Sequence, residues 1–403
     1  MKKLIAVLTA AVIFTCTAAA AENKYITEYY TDDILAAPTF SQAEPTAVGA
    51  KLDIKAKSAL LLEPKTGKVL YESNADEKLA PASITKIMSL LLIMEALDKG
   101  FFKLDTQITA SEHACSMGGS QIWLEPGETM TVDEMLRATV IASANDTTVA
   151  LAEAVSGSEE GFVELMNKRA GELGMKNTVF KNASGLDAEG HYSSARDVAI
   201  MSAELIKHDL IKKYSTVWMD ALRGGESQLV NTNKLVRYYE GCTGLKTGTT
   251  GTAGYCLSAT AERNGLELVA VIMGGETSND RFNGARKLLD YGFSNYSFME
   301  IAADASLLKP IKVKNGMQAT VGISAGGVCS LLLPKGSGKN ITQTAELPSE
   351  LEAPVKKGEQ IGKIHLSLDG KEVGVIPVTA ADDVVKINFF SSFLSLLESI
   401  LVP

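Results

Sequence analysis

The largely apolar residues from Ile87 to Leu97 constrain the fold more than any other stretch of this 403-residue chain. They are good helix formers for about four turns, and a helix that turns most of its side chains inward belongs inside a core. Just before it stands Pro81-Ala82-Ser83-Ile84-Thr85-Lys86, with Pro81 where a helix start favours proline. A serine and a lysine three apart project from one face of a helix, so Ser83 and Lys86 pair as a nucleophile with its base. Roughly one or two Ser-x-x-Lys matches arise by chance in a chain of this length, and Ser306-Leu307-Leu308-Lys309 is a second. There Pro310 disfavours helical geometry at Lys309. The first copy is the one that holds both side chains on a helical face.

Residues 1–21 have the three parts of a secretory signal: Lys2 and Lys3, an apolar run from Leu4 to about Thr15, and Ala18 to Ala21. Cys16 is expected to leave with it. Its removal takes two lysines and no acid, moving the formal charge from −9 to −11. An acidic surface argues against nucleic acid as a partner. No interior stretch has 18 uninterrupted apolar residues, so no membrane-spanning helix is expected. The mature length is too great for one core and predicts at least two domains. Four cysteines remain, too few to staple such a chain. Cys242 and Cys256 flank a strand turn and are either cross-strand neighbours or free buried thiols. His113 with Cys115 matches no zinc spacing, and neither metal nor cofactor is expected.

Residues 22–48 are polar and aperiodic and predict a leader. Lys57–Leu62 and Lys68–Tyr71 predict a strand hairpin across Glu63-Pro64-Lys65-Thr66-Gly67. After the Ser83 helix and a loop-rich stretch with Gly118-Gly119-Ser120, helices are expected over Val132–Ile141, Asp146–Ala154, Glu159–Leu173 and Val198–His208. The last follows Ser194-Ala195-Arg196-Asp197, which has the form of a capping box. Ala253–Ala261 and Leu266–Met273 flank Asn264-Gly265, a strong hairpin signal, and a helix over Arg281–Tyr291 follows. Strands at both ends of a helical middle imply a sheet built from chain-distant pieces, which gives an α+β class. Residues 49–298 form this part. Short runs punctuated by Gly, Pro and Asp-Gly make 299–385 a small all-β domain. Residues 386–403 predict a helix too short to span a bilayer. It either lies on a membrane as an amphipathic anchor or docks on its own protein.

A serine nucleophile usually takes histidine as base, yet none of the four histidines sits in a motif that pairs with a serine. Lys86 serves only if burial and a second cation lower its affinity for a proton. Two later patterns complete a site: Ser143-Ala144-Asn145 at a break between helices, and Lys246-Thr247-Gly248 on a strand before the hairpin. Each arises easily alone, as Lys65-Thr66-Gly67 in a turn shows. In the order Ser-x-x-Lys, Ser-x-Asn, Lys-Thr-Gly they are the signature of penicillin-recognising serine acyltransferases.

Pro81–Lys86, Leu173-Gly174-Met175-Lys176-Asn177, Leu186-Asp187-Ala188, Tyr192–Asp197 and Gly244–Gly248 through Ala253-Gly254-Tyr255 carry the resemblance further. The chain resembles the low-molecular-mass penicillin-binding proteins that are serine-type D-alanyl-D-alanine carboxypeptidases, over nearly its whole mature length. The resemblance implies a penicillin-binding, serine β-lactamase-like catalytic domain, in which an antiparallel sheet packs with a helical block, then a small β domain and an anchoring helix. It implies that the substrate is the peptidoglycan stem pentapeptide, that β-lactams acylate the enzyme, and that the helix attaches it to the outer face of the cytoplasmic membrane. Carried over by motif, Ser83 is the acylated nucleophile, Lys86 its base, Ser143 and Asn145 the proton relay and substrate contact, and Lys246 the electrostatic partner. Thr247, Gly248, Thr249 and Ser120 fall on the substrate side. Arg281 falls where the family has a carboxylate-binding arginine, or else pairs at the surface with Asp280 or Glu276. The backbone N–H groups of Ser83 and Thr249 are the expected oxyanion donors; the family often has histidine where this chain has Thr249. Two alternatives share the motifs: a β-lactamase, for which no Glu-x-x-x-Asn stands at the expected place, and a catalytically silent wall-binding or sensor protein.

Overall fold

The computed structural model describes residues 52–388. The segment expected to be an export signal, the leader up to residue 48, and all but the first residues of the expected anchor lie outside the described residues.

Strands β1 (Ser58–Glu63) and β2 (Lys68–Ser73) form the first hairpin. The Glu63 carboxylate ties its turn by accepting from the backbone N–H of Lys65 and Thr66, both at 2.8 Å. That leaves Lys65-Thr66-Gly67 as turn residues. Strands β3 (Cys242–Thr250), β4 (Gly254–Arg263) and β5 (Leu266–Gly275) follow much later in the chain. Asn264 (φ 51°) and Gly265 (φ 77°) both take positive φ between β4 and β5, as a two-residue type I′ turn demands. All pairs are antiparallel and the order is β2-β1-β5-β4-β3, with Leu60 opposite Val271 closing the distant halves. This is the chain-distant sheet the sequence predicts, and it leaves β3 as an edge.

Both faces of the sheet are covered, so every residue of β1 and β5 is buried. On one face packs the helix Ser278–Asn295, with Phe282, Ala285, Leu288 and Leu289 in the shared core. On the other lies the helical block. Within it α1 (Lys86–Asp98) contacts α3 (Asn145–Ser156), α4 (Glu159–Glu172) and α5 (Ala195–Leu205). Enclosed on several sides, α1 buries every residue from Lys86 to Met94. Its inward Ser89 is satisfied by donating to the Ala183 carbonyl at 2.6 Å. Helix α2 (Val132–Arg137) starts on a capping box of Thr131 and Glu134 and runs into a π-turn over Ala138–Ala142.

Several boundaries differ from the sequence reading. Helix α5 starts at Ala195 rather than Val198 and ends at Leu205. Its box is half made: Ser194 Oγ accepts from Asp197 N–H at 3.2 Å, but the Asp197 carboxylate accepts from Asn177 N–H and Thr178 Oγ, both at 2.7 Å. The helix expected over Arg281–Tyr291 spans Ser278–Asn295 as α6, because Thr277 and Asp280 form a full capping box three residues upstream. Between α5 and β3 stand elements with no sequence expectation: helices Asp209–Ser215 and Leu235–Tyr238, and a hairpin of Met219–Leu222 with Ser227–Val230. Cys242 faces Ala261 and Cys256 faces Gly248, so these two are not cross-strand neighbours; all four described thiols are free.

Beyond α6 the chain is all β. Tyr296–Ile301 pairs with Cys329–Pro334. A four-stranded sheet of Ile323–Ala325, Lys371–Ala380, Gln360–Leu368 and Ile341–Glu346 buries Ile364, Leu366, Ile376 and Val378. Ser306 lies within a short 3-10 turn, Ala305–Leu307, that ends before Pro310, so the second Ser-x-x-Lys is not helical through Lys309. Among the described residues no helix is long and apolar enough to cross a membrane.

Candidate active site

Ser83 sits in a single 3-10 turn, Ala82–Thr85, that leads directly into α1. Ala82 holds φ at +48°, a left-handed conformation that costs a non-glycine residue energy. Two backbones brace the turn. A Cβ on Gly185 (φ +87°) would stand 2.0 Å from the Ala82 carbonyl oxygen, and one on Gly248 would stand 2.8 Å from that of Pro81 and 3.0 Å from Ser83 N. Only glycine allows either approach.

Lys86 is fully buried one turn on. Its Nζ lies 2.5 Å from Asn145 Oδ1, 2.6 Å from the Ser184 carbonyl and 3.1 Å from Ser83 Oγ. Burial first, then the Lys246 charge, hold its pKa well below the usual lysine value, against an opposing pull from Asp146. A neutral amine has two N–H groups and one lone pair. The two short contacts are to acceptors that have no proton to give, so they use both N–H groups. The lone pair is left for the Ser83 hydroxyl, the geometry of a general base.

Asn145 is locked from three sides. Besides accepting from Lys86, it donates Nδ2 to the Gly118 carbonyl at 2.6 Å and N–H to the Ser120 carbonyl at 2.6 Å. The Ser120 side chain is exposed, and its observed contact to this group is through the backbone. The 118–124 loop is held in turn by Asp146, whose fully buried carboxylate accepts from Ile122 N–H (3.0 Å), Leu124 N–H (3.1 Å) and Thr147 N–H (2.9 Å). Ser143 takes φ +63° between the π-turn and α3, at the expected helix break. The residue as a whole is buried, at 4% exposure.

Lys246, Thr247, Gly248 and Thr249 lie along β3. Lys246 is 1% exposed; its Nζ donates to the Thr247 carbonyl at 3.2 Å, and burial followed by the Arg281 charge lowers its pKa to about 7. Thr247 Oγ donates to Thr232 Oγ at 2.7 Å. Arg281 is buried at the start of α6 and donates through one Nη to Thr249 Oγ (2.8 Å) and the Gly248 carbonyl (3.1 Å), while its Nε has no partner among the described residues. The expected alternative, a surface ion pair with Asp280 or Glu276, is not formed: Asp280 caps α6 with Thr277. Burial lowers the pKa of Arg281 as well.

The four histidines are engaged with partners other than Ser83: His113 with Glu159 (2.7 Å), His191 with Thr85 (2.9 Å), His208 with Asp98 (2.6 Å), and His365 with Glu346 (2.8 Å) and Glu372 (2.5 Å). Sequence reasoning missed the Ser184 carbonyl, Asp146 and His191. The Asp following Ser-x-Asn was a legible signal for Asp146; a backbone carbonyl has none.

A serine backed by a buried lysine, beside an edge strand with a second buried lysine, on a sheet flanked by helices, defines a class: enzymes of serine–lysine acyl-transfer type. The D-alanyl-D-alanine carboxypeptidase family model matches residues 41–277, and that of the penicillin-binding protein 5 C-terminal domain matches residues 296–386. The chain is 47% identical to the D-alanyl-D-alanine carboxypeptidase DacF of Bacillus subtilis (strain 168), over 85% of this chain and 89% of that protein. It is 36% identical to DacC of Escherichia coli (strain K12), over 88% of this chain and 90% of that one. Penicillin-binding protein 5 from Haemophilus influenzae superposes with a TM-score of 0.74 at 32% identity, covering 83% of this chain and 99% of that one. The chain belongs to the D-alanyl-D-alanine carboxypeptidase family.

Proposed function

We propose that this protein is a serine-type D-Ala-D-Ala carboxypeptidase that removes the terminal D-alanine of peptidoglycan stem pentapeptides through an acyl-enzyme on Ser83, and that penicillin acylates the same atom. The observation that carries this reading is the buried Lys86 Nζ, 3.1 Å from Ser83 Oγ and within 2.6 Å of both Asn145 Oδ1 and the Ser184 carbonyl, with its pKa held well below the usual lysine value. Ser83 Oγ attacks the carbonyl of the penultimate D-alanine and passes its proton to Lys86. The N–H groups of Ser83 and Thr249 hold the oxyanion. Collapse expels the terminal D-alanine, whose amine takes a proton through Lys86 and Ser143; water then hydrolyses the ester, with Lys86 again as base. Asn145 orients Lys86 and the substrate amide, and Ser120 edges that side. Lys246, Thr247 and Arg281 receive the leaving carboxylate, with Gly248 keeping the strand close.

Residues 1–21 act as the export signal, 22–48 as a linker, 49–298 as the peptidase, 299–385 as the β domain and 386–403 as an anchor on the outer face of the cytoplasmic membrane. Deleting residues 387–403 moves the enzyme from the membrane fraction to the soluble one without loss of D-alanine release; a full-length protein found wholly soluble contradicts the anchor. Neither a β-lactamase nor a silent wall-binding protein is favoured, since the relatives matched along most of the chain bear carboxypeptidase names. The test is D-alanine release from a pentapeptide by wild type and Ser83→Ala. The wild type releases it and the variant does not; release by the variant refutes the assigned nucleophile.

A further inference from the structure

Strand β3 is the free edge of the sheet and carries Lys246, Thr247 and Thr249 in that order before it ends at Thr250. An extended peptide laid along such an edge with its C-terminal carboxylate at Lys246 and the Thr247 hydroxyl runs its other end past Ser83 toward Thr250 and beyond. A cavity of about 340 Å³ opens there, lined by Pro81, Ala82, Asp187, Glu189, His191 and Thr252 among others. Its floor is the catalytic turn itself, since Ala82 precedes Ser83 and Thr85 Oγ lies 2.9 Å from His191 Nε2.

The cavity is a made feature. Thr250 Oγ donates to Asp187 Oδ1 at 2.8 Å, tying the 185–191 loop to the end of β3. His191 is 7% exposed, and its Nδ1 has no partner among the described residues. Burial, against an opposing pull from Asp187 and with help from Lys181, lowers the His191 pKa to about 4, so the ring is neutral at working pH and adds no positive charge. Two exposed carboxylates, Asp187 and Glu189, line the cavity, and the Lys181 side chain comes close to Gly190 beside them. Neither carboxylate is held in an ion pair among the described residues, so both remain available to a ligand.

Resting on the carboxypeptidase reading, we infer that this cavity is the subsite for the donor half of the peptide, and that Asp187 and Glu189 select a protonated amine on the side chain just before the D-alanyl pair. The test compares two pentapeptides ending in D-Ala-D-Ala that differ only at this side chain, lysine in one and Nε-acetyl-lysine in the other. Wild type hydrolyses the free amine with about a three- to tenfold higher kcat/KM, the size expected of partly exposed charge pairs. Asp187→Asn with Glu189→Gln brings the ratio to one. Asn at 187 keeps an acceptor for Thr250, and Glu189→Gln alone, at an exposed position, must already lower the ratio. Equal rates in wild type, or a ratio untouched in both variants, overturn the subsite and leave the carboxypeptidase reading standing. No D-alanine release from either peptide by wild type overturns that reading and the subsite with it.

Discussion

At the residue scale the site turns on where protons sit. Lys86 must be neutral to act as base, and Lys246 must be charged to receive a carboxylate. Activity therefore rises as pH climbs through the lowered pKa of Lys86 and falls as it climbs through that of Lys246, about 7 in the free enzyme. The expected kcat/KM profile, which reports the free enzyme, is a bell with its alkaline limb near neutrality. The limb in kcat lies higher, because the bound carboxylate favours charged Lys246. A kcat/KM profile flat from pH 7 to pH 10 contradicts this role. Lys86→Ala removes the base and lowers the acylation rate by about 10²–10⁴-fold in stopped-flow assays. Asp146 acts at one remove. Both its oxygens accept backbone N–H groups, so Asp146→Asn sets an amide against one of them and loses about 1–3 kcal/mol in urea denaturation. Acylation slows as well, because the 118–124 loop no longer locks Asn145. That Ser83, Asn145 and Lys246 gather around Lys86 was legible because short motifs name them. The Ser184 carbonyl, which takes one of the two Lys86 N–H groups, was not, because any residue supplies a carbonyl.

At the element scale, local signals were read well where one strong chemistry dictates them. The Asn264-Gly265 turn and the apolar face-filling of α1 are both found where their residues predict. Helix starts lie upstream of the apolar periodicity where a cap residue sets them, Ser194 for α5 and Thr277 for α6. Residues 209–241 carry four short elements that are fixed by tertiary contacts, such as Arg137 Nη on Asp220 at 2.9 Å, and not by periodicity. The 182–186 loop is the sharpest case of packing that serves chemistry. Gly185→Ala puts a Cβ into the Ala82 carbonyl at a positive φ, and is expected to cost about 1–3 kcal/mol. It also slows penicillin acylation more than tenfold in the fraction that remains folded. Near-normal acylation in folded Gly185→Ala would show that the turn does not depend on this approach.

At the scale of the whole molecule, the sheet closes only when β1 meets β5, two hundred residues apart, and that closure brings the Ser83 turn against β3. Strand signals at both ends of a helical middle made this assembly legible, while the strand order itself came only from the pairing. The β domain joins through Lys335, whose N–H donates to the Asn295 carbonyl and whose Nζ donates to that of Phe293. Leu332 enters the core under α6. The central claim is that these pieces converge to make Ser83 the acylated atom. Mass spectrometry of the full chain after brief exposure to penicillin tests it directly. One long-lived adduct is expected, mapping to the peptide that contains Ser83 and absent from Ser83→Ala. An adduct on any other residue, or rapid turnover of penicillin with no adduct, would contradict it.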